Sequence, residues 1–247
     1  MRVLRSILFF LWLYGLMTVI GVPFLLSFFM PRSVLTWGIK FYTKGVRWGL
    51  RVIAGVRTEF RGLENMPEGP VIYAGKHQCM WDVFIPFLIM TDPAIIMKRE
   101  LVWYPGLGWF SLKSQMIRID RAGTTRTLKR MITQAKDRVA SGRQIVIFPE
   151  GTRFKPGTET VYHAAGISAL YKALDIPIVP VATNAGLCWP PRGIIRTPGV
   201  AVYEVLPPIE PGLNRRELMN TLQDSLEHAS TALVQEGRAV QDQRNSN

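Results

Sequence analysis

Between Ser6 and Pro31 the chain runs for 26 positions without an acidic or basic side chain, through Leu8-Phe9-Phe10-Leu11-Trp12-Leu13 and Phe24-Leu25-Leu26. About 20 apolar residues in a helix rising about 1.5 Å each cross the roughly 30 Å hydrocarbon layer of a bilayer, so this run predicts a membrane span. Gly15, Gly21 and Pro23 lie inside it. A proline past the midpoint can kink or break a helix, which leaves a half-inserted hairpin as an alternative to a full crossing. A buried core helix and a cleaved signal are the soluble readings. The run is longer than the about 7–15 residues of a signal core, and Val19-Ile20-Gly21 is a poor cleavage site.

The charges around the run give it a direction. The chain carries 30 basic and 18 acidic residues, a net +12. Eight of the cations (Arg2, Arg5, Arg32, Lys40, Lys44, Arg47, Arg51 and Arg57) precede the first carboxylate, Glu59. Five of them lie between Arg32 and Arg51, against two before the run, and basic residues stay on the cytoplasmic side. The larger C-terminal part is therefore expected at the cytoplasmic face of the cell inner membrane.

Lys40, Lys44, Arg47 and Arg51 recur at helical spacing, with Trp37, Phe41, Trp48 and Leu50 between them. A basic, aromatic helix of this kind suits the headgroup layer of an anionic phospholipid membrane, each cation contributing on the order of 1 kcal/mol. A plain solvated face is the simpler alternative. No nucleic-acid-recognition motif accompanies the charge, so no nucleic-acid partner is expected. Two cysteines, Cys79 and Cys188, exclude a disulfide scaffold, and no metal-ligand spacing is visible.

After residue 52 the pattern changes to short apolar runs separated by turns and helices, which predicts an α/β fold: a mixed sheet flanked by helices, preceded by the membrane-anchoring helical segment. Residues 1–52 read as anchor and interfacial helix, 53–240 as the α/β domain and 241–247 as a frayed tail. Strands are expected near Thr58–Arg61, Val71–Ala74, Ala94–Met97, Met116–Ile119, Ile145–Phe148, Ile178–Val181 and Val200–Val205. The clearest helices run from Thr124 to Ser141, Ala164 to Leu174 and Arg215 to Glu236.

Of three histidines, only His77 has suggestive company. It leaves a buried strand just before an apolar helix, where functional groups are commonly displayed, and Asp82 follows five positions later. Around a helix start that interval can return the carboxylate to the imidazole, fixing its tautomer and stabilising the charge gained on taking a proton. His163 and His228 read as ordinary helix residues. Phe148-Pro149-Glu150-Gly151-Thr152-Arg153 forms a second turn after a buried strand, and its arginine suits a phosphate-bearing substrate.

In this order the segments resemble the PlsC-type 1-acyl-glycerol-3-phosphate acyltransferases. His77 to Asp82 fits their H-x-x-x-x-D block. Lys98 to Trp109, leading to Ile119-Asp120-Arg121, is similar to the second block. Phe148 to Arg153 reproduces F-P-E-G-T-R, and Ile178 to Ala182 is similar to the fourth block. The resemblance covers about residues 55 to 205.

It implies transfer of a fatty acyl group from acyl-CoA or acyl-carrier protein to the sn-2 hydroxyl of lysophosphatidic acid, giving phosphatidic acid, with no cofactor and no acyl-enzyme. His77 would be the general base, oriented by Asp82. Arg121, Glu150, Gly151, Thr152 and Arg153 would hold the glycerol phosphate, and Pro180 would help shape the acyl-chain region. The chain departs from the family pattern at three places. Ala164 and Ala165 stand where many members carry a lysine before the glycine corresponding to Gly166, Arg118 replaces a common proline, and Lys76 stands where many have asparagine. Another lysolipid acceptor is the nearest alternative. More distant ones are a thioesterase using Cys79 as nucleophile and a non-catalytic lipid adaptor. Trp103, Tyr104, Trp109 and Phe110 are expected to seat the domain at the bilayer surface, with core packing as their alternative.

Overall fold

The protein is described from a computed structural model covering residues 1–26, 30–103, 107–120, 125–158 and 160–246. Seven strands form one sheet: β1 (Val56–Arg61), β2 (Ile72–Gly75), β3 (Pro93–Lys98), β4 (Ile117–Ile119), β5 (Gln144–Ile147), β6 (Ile178–Thr183) and β7 (Gly199–Val205). All seven coincide with expected strands to within a few residues. Their order across the sheet is β1-β7-β6-β2-β5-β3-β4. Every neighbouring pair is parallel except β6 and β7, so the sheet is mixed as expected.

The central strands β2, β5 and β6 are buried along their whole length, which is why they read as unbroken apolar runs. Alternation along them then divides the core in two. Tyr73, Val146, Val179 and Val181 point to one face, where Phe9, Leu13, Val46, Leu50, Trp81 and Ile85 cover them. Ile72, Ala74, Ile145 and Ile178 point to the other, against Met131, Ile167, Leu170, Leu218, Leu222 and Leu226.

The first layer is a helical hairpin, α1 (Arg2–Leu26) and α2 (Arg32–Gly49). From Arg2 to Val22, α1 is long and apolar enough to cross a membrane. It does not stand apart from the body. The Trp12 indole donates to the Gly45 carbonyl at 3.0 Å and the Tyr42 hydroxyl to the Leu13 carbonyl at 3.3 Å, so α1 lies antiparallel along α2. Nearer its start, Ser6 Oγ accepts the Arg196 N–H at 2.8 Å, and Phe9 meets Trp189 edge-on at 5.5 Å. A wider turn over Leu50–Ala54 extends α2 until Gly55, at φ 72°, turns the chain into β1.

The expected cationic stripe, together with Arg32 at the start of α2, meets the protein only in part. Arg32 binds Asp92 through both carboxylate oxygens at 2.8 and 2.7 Å. Lys40 donates to the Thr91 carbonyl at 2.7 Å, and Arg47 donates to the Thr58 carbonyl while lying over Phe60. Of the four stripe cations, Lys44 and Arg51 remain exposed and make no such contact among the described residues. The outward face of α2 is instead aromatic, with Trp37, Phe41 and Trp48 exposed and Trp37 stacked on Phe41.

The second layer holds α5 (Thr125–Ala140), α6 (Ala164–Leu174) and α7 (Arg215–Ser246), while the short α3 (Pro86–Ile89) and α4 (Leu107–Lys113) complete the first side. Asn214 caps α7, accepting the N–H groups of Arg216 and Glu217, and Glu217 returns to the Asn214 N–H. The sequence placed the end of this helix at Glu236 and a frayed tail beyond 241, but α7 continues to Ser246. Gly237 is not a stop. A side chain there would meet Leu187 Cδ1 at 2.7 Å, so the glycine lets α7 lie close against the turn after β6.

Candidate active site

His77 lies one turn past β2, on the edge of the sheet where parallel strands β2 and β5 both end. The short helical turn Met80–Val83 then brings Asp82 back under it, with Asp82 Oδ2 3.1 Å from His77 Nδ1. The same oxygen accepts the N–H groups of Gln78 at 2.6 Å and Cys79 at 2.7 Å. The other oxygen, Oδ1, accepts the Tyr203 hydroxyl at 2.7 Å and the Cys79 thiol at 3.2 Å.

Asp82 is 1% exposed, and an ionised carboxylate is sustained there because all its contacts are donors. That arrangement fixes the tautomer. Facing an acceptor-only group, Nδ1 carries the proton, and the Nε2 lone pair is left for a substrate. Phe148 stacks on the imidazole at 4.4 Å and holds its plane.

The turn after β5 meets the His77 loop through two bonds. Glu150 Oε2 accepts the His77 N–H at 2.7 Å, and the Phe154 N–H donates to the His77 carbonyl at 2.9 Å. Gly151 has φ 68°, and a side chain there would meet the His163 ring at 2.7 Å, so both conformation and space require glycine. Thr152 and Arg153 follow, exposed. Arg153 forms no ion pair among the described residues, which suits a cation kept for an anionic ligand.

The expected site residues thus separate. His77, Asp82, Gly151, Thr152 and Arg153 come together around one pair of loops. Glu150 belongs to the same turn but points inward: it is 2% exposed, and its second oxygen lies 2.6 Å from Lys76 Nζ. A carboxylate so engaged supports the loop instead of meeting a phosphate, whose negative charge it would repel. Pro180 is buried within β6 beside Ala74, a position inside the sheet. Arg121 and Tyr104 lie outside the described residues.

Three residues at the site carried no local signal in the sequence. Tyr203 reaches Asp82 from β7, 121 positions away, and Glu227 reaches Lys76 from α7, 151 positions away. His163, expected to be an ordinary helix residue, packs its ring on Gly151. Cys79 is buried, and burial together with the neighbouring Asp82 charge pushes its thiol well above the usual range. It serves as a donor to Asp82 and is held as a thiol, the wrong form for a nucleophile. Among the described residues no group of three or more His, Cys, Asp or Glu side chains could hold a metal ion. A cavity of about 270 Å³ lies at the β1 edge of the sheet, lined by Arg57, Asn184, Leu187 and Gln241 among others, and includes none of the residues above.

Comparison with known proteins agrees with this geometry. The acyltransferase family model matches residues 57–184, from β1 through the His77 loop to the end of β6. A 1-acyl-sn-glycerol-3-phosphate acyltransferase of Pseudomonas aeruginosa is 34% identical over 203 residues, 80% of this chain and 77% of its own length. The chain belongs to the PlsC-type acyltransferase family. A second such relative, from Cocos nucifera, is 29% identical over 185 residues, 71% of this chain and 60% of its own. The crystal structure of the 1-acyl-sn-glycerophosphate (LPA) acyltransferase PlsC from Thermotoga maritima superposes with a TM-score of 0.76 over 94% of this chain and 98% of that one, at 23% identity. The fold is therefore the PlsC fold, and the protein is an acyltransferase of that family.

Proposed function

We propose that the enzyme acylates the sn-2 hydroxyl of 1-acyl-glycerol-3-phosphate, with acyl-CoA or acyl-carrier protein as donor, to give phosphatidic acid. His77 Nε2 takes the hydroxyl proton as the oxygen attacks the thioester carbonyl. The tetrahedral adduct then collapses, the C–S bond breaks, and the proton passes from His77 to the departing thiolate. Asp82 stabilises the imidazolium formed between the two transfers. Gly151, Thr152 and Arg153 receive the acceptor phosphate, together with Arg121 by the family pattern. Glu150 acts from behind, through its bond to the His77 backbone, and Pro180 is assigned to the framework beneath the acyl chain.

The observation that carries this reading is the saturated Asp82 carboxylate 3.1 Å from His77 Nδ1. Lipid adhesion alone needs no such pair. A thioesterase working through Cys79 would need a thiolate where the structure holds an S–H.

The hairpin supports a place at the membrane. Leu4, Leu8, Leu11 and Met17 of α1 and Trp37, Phe41 and Trp48 of α2 are exposed, an apolar surface larger than soluble proteins leave uncovered. Trp103 and Trp109 are exposed as well, and Phe110 is half-buried. Because α1 lies along α2, and α2 along the catalytic body, we favour a half-inserted hairpin in one leaflet over a full crossing. The catalytic domain then rests on the cytoplasmic face of the inner membrane, where the lipid acceptor meets a water-soluble donor.

Incubation of purified protein with labelled acyl-CoA and lysophosphatidic acid tests the assignment. Phosphatidic acid is the expected product. Free fatty acid alone favours hydrolysis, and faster transfer to another lysolipid reassigns the acceptor.

A further inference from the structure

Behind the His77 loop lies a charge cluster that the acyl-transfer chemistry does not use. Lys76 Nζ is 2.6 Å from Glu150 Oε1 and 2.8 Å from Glu227 Oε1. The Lys76 side chain is 5% exposed and that of Glu150 0%, while Glu227 keeps an edge to solvent at 31%. Thr160 Oγ1 and the Tyr162 hydroxyl donate to the same Glu227 oxygen at 3.1 and 2.9 Å. Glu150 Oε2 meanwhile accepts the His77 N–H. One carboxylate thus links an ammonium to the backbone of the base, and the ammonium links both to α7.

The charge balance of this cluster is uneven, with one cation between two anions. Burial holds the Glu150 carboxyl above its ordinary range, opposed by the charge and hydrogen bond of Lys76. The titratable and charged groups facing one another are Lys76 and His77 from the loop after β2, Glu150 from the turn after β5, Tyr162 from the segment before α6, and Glu227 from α7.

We propose that Lys76 is a positioning residue for catalysis: by clamping Glu150 and Glu227 together it fixes the His77 loop against α7 and keeps the imidazole where the acceptor hydroxyl arrives. This rests on the reading of His77 as the base. Without the ammonium, the buried Glu150 carboxylate is left beside Glu227 with no cation between them, and one of the two must take up a proton or move outward. Glu150 then loosens its hold on the His77 N–H, and turnover falls. The groups that meet phosphate and thioester are elsewhere, so substrate affinity holds. Removing the second carboxylate together with the lysine relieves the conflict.

The test compares kcat and both KM values for the wild type, Lys76→Asn, Glu227→Gln and the double variant, with melting temperatures recorded for each. Lys76→Asn is expected to lose about 10–100-fold in kcat, the scale of a base displaced by about 1 Å, with both KM values kept. The double variant is expected to recover about tenfold of that loss, a coupling that independent sites would lack. The acid limb of the pH profile should move in opposite directions. It moves up in Lys76→Asn, where Glu150 has lost its cation, and down in Glu227→Gln, where Lys76 serves Glu150 alone. If Lys76→Asn does not fold, the Glu227→Gln profile decides by itself, because that partly exposed side chain can change without emptying the core. Wild-type kcat and pH profile in Lys76→Asn, no relief in the double variant, or a Glu227→Gln profile that superposes on the wild type would each overturn the proposal. A wild type that transfers no acyl chain overturns the functional reading first, and is seen before any variant is compared.

Discussion

Asp82 and Arg153 sit on the two loops that meet at His77, and the fold treats them in opposite ways. Asp82 is buried and accepts five hydrogen bonds, from His77, the Gln78 and Cys79 backbone, the Cys79 thiol and Tyr203. Arg153 is exposed and forms no ion pair among the described residues. The inner half of the site is complete before any substrate arrives, so its reorganisation cost during the reaction is small. The outer half is left with spare donors for a ligand to satisfy. On the proposed function, chemistry and binding fall to different halves of one loop pair, and substitutions should separate them.

The largest effect is expected at the inner half. His77→Ala should lower kcat by about 10²–10⁴-fold, the usual contribution of a positioned base, with an unchanged melting temperature and little change in acceptor KM. Steady-state kinetics beside a thermal melt checks this, and a loss that sits in KM would erase the division. At the outer half, Arg153→Ala removes a charged hydrogen-bond donor worth about 1.5–3 kcal/mol, so acceptor KM should rise about 10–100-fold while donor KM holds. Varying lysophosphatidate at saturating acyl-CoA reads it directly.

Smaller effects sharpen the picture of Asp82. Tyr203→Phe deletes one of its five donors and should cost about 1–3 kcal/mol of stability, read by denaturant unfolding, with a several-fold fall in kcat. Cys79→Ala removes the weakest donor and should leave activity within about twofold, since a thiol is a poor hydrogen-bond partner. The same burial that raises this thiol predicts slow alkylation of the native enzyme at neutral pH, and rapid labelling with inactivation would restore Cys79 as a nucleophile.

Much of the inner half was legible because its geometry is local. His77 and Asp82 are five positions apart, and a single helical turn brings them together. Strands were legible for the same reason, since central strands buried on both faces must be continuous apolar runs. The parts that were not legible depend on contacts across the sheet. Nothing near Tyr203 or Glu227 marks either as a partner of the His77 loop, because the sheet order that joins them is a property of the whole chain. Motif membership grouped Glu150 with Thr152 and Arg153, and only the folded chain shows that Glu150 is buried against Lys76 while the other two are exposed. The basic stripe read from spacing and aromatic company is divided by the fold: Lys40 and Arg47 donate to the Thr91 and Thr58 carbonyls, while Lys44 and Arg51 stay exposed, and spacing does not tell the two pairs apart. The last helix was expected to end at Glu236, whereas it continues through Gly237, where the missing side chain allows close approach to Leu187.

The central claim is that His77 and Asp82 act as one unit, and a double-variant cycle tests it most directly. Measured by kcat for acyl transfer to lysophosphatidate, His77→Ala and His77→Ala combined with Asp82→Asn should be equally slow, because a carboxylate with no imidazole to orient has nothing left to contribute. A double variant slower than His77→Ala by the full Asp82→Asn factor would mean that the two residues work independently, and would contradict the account.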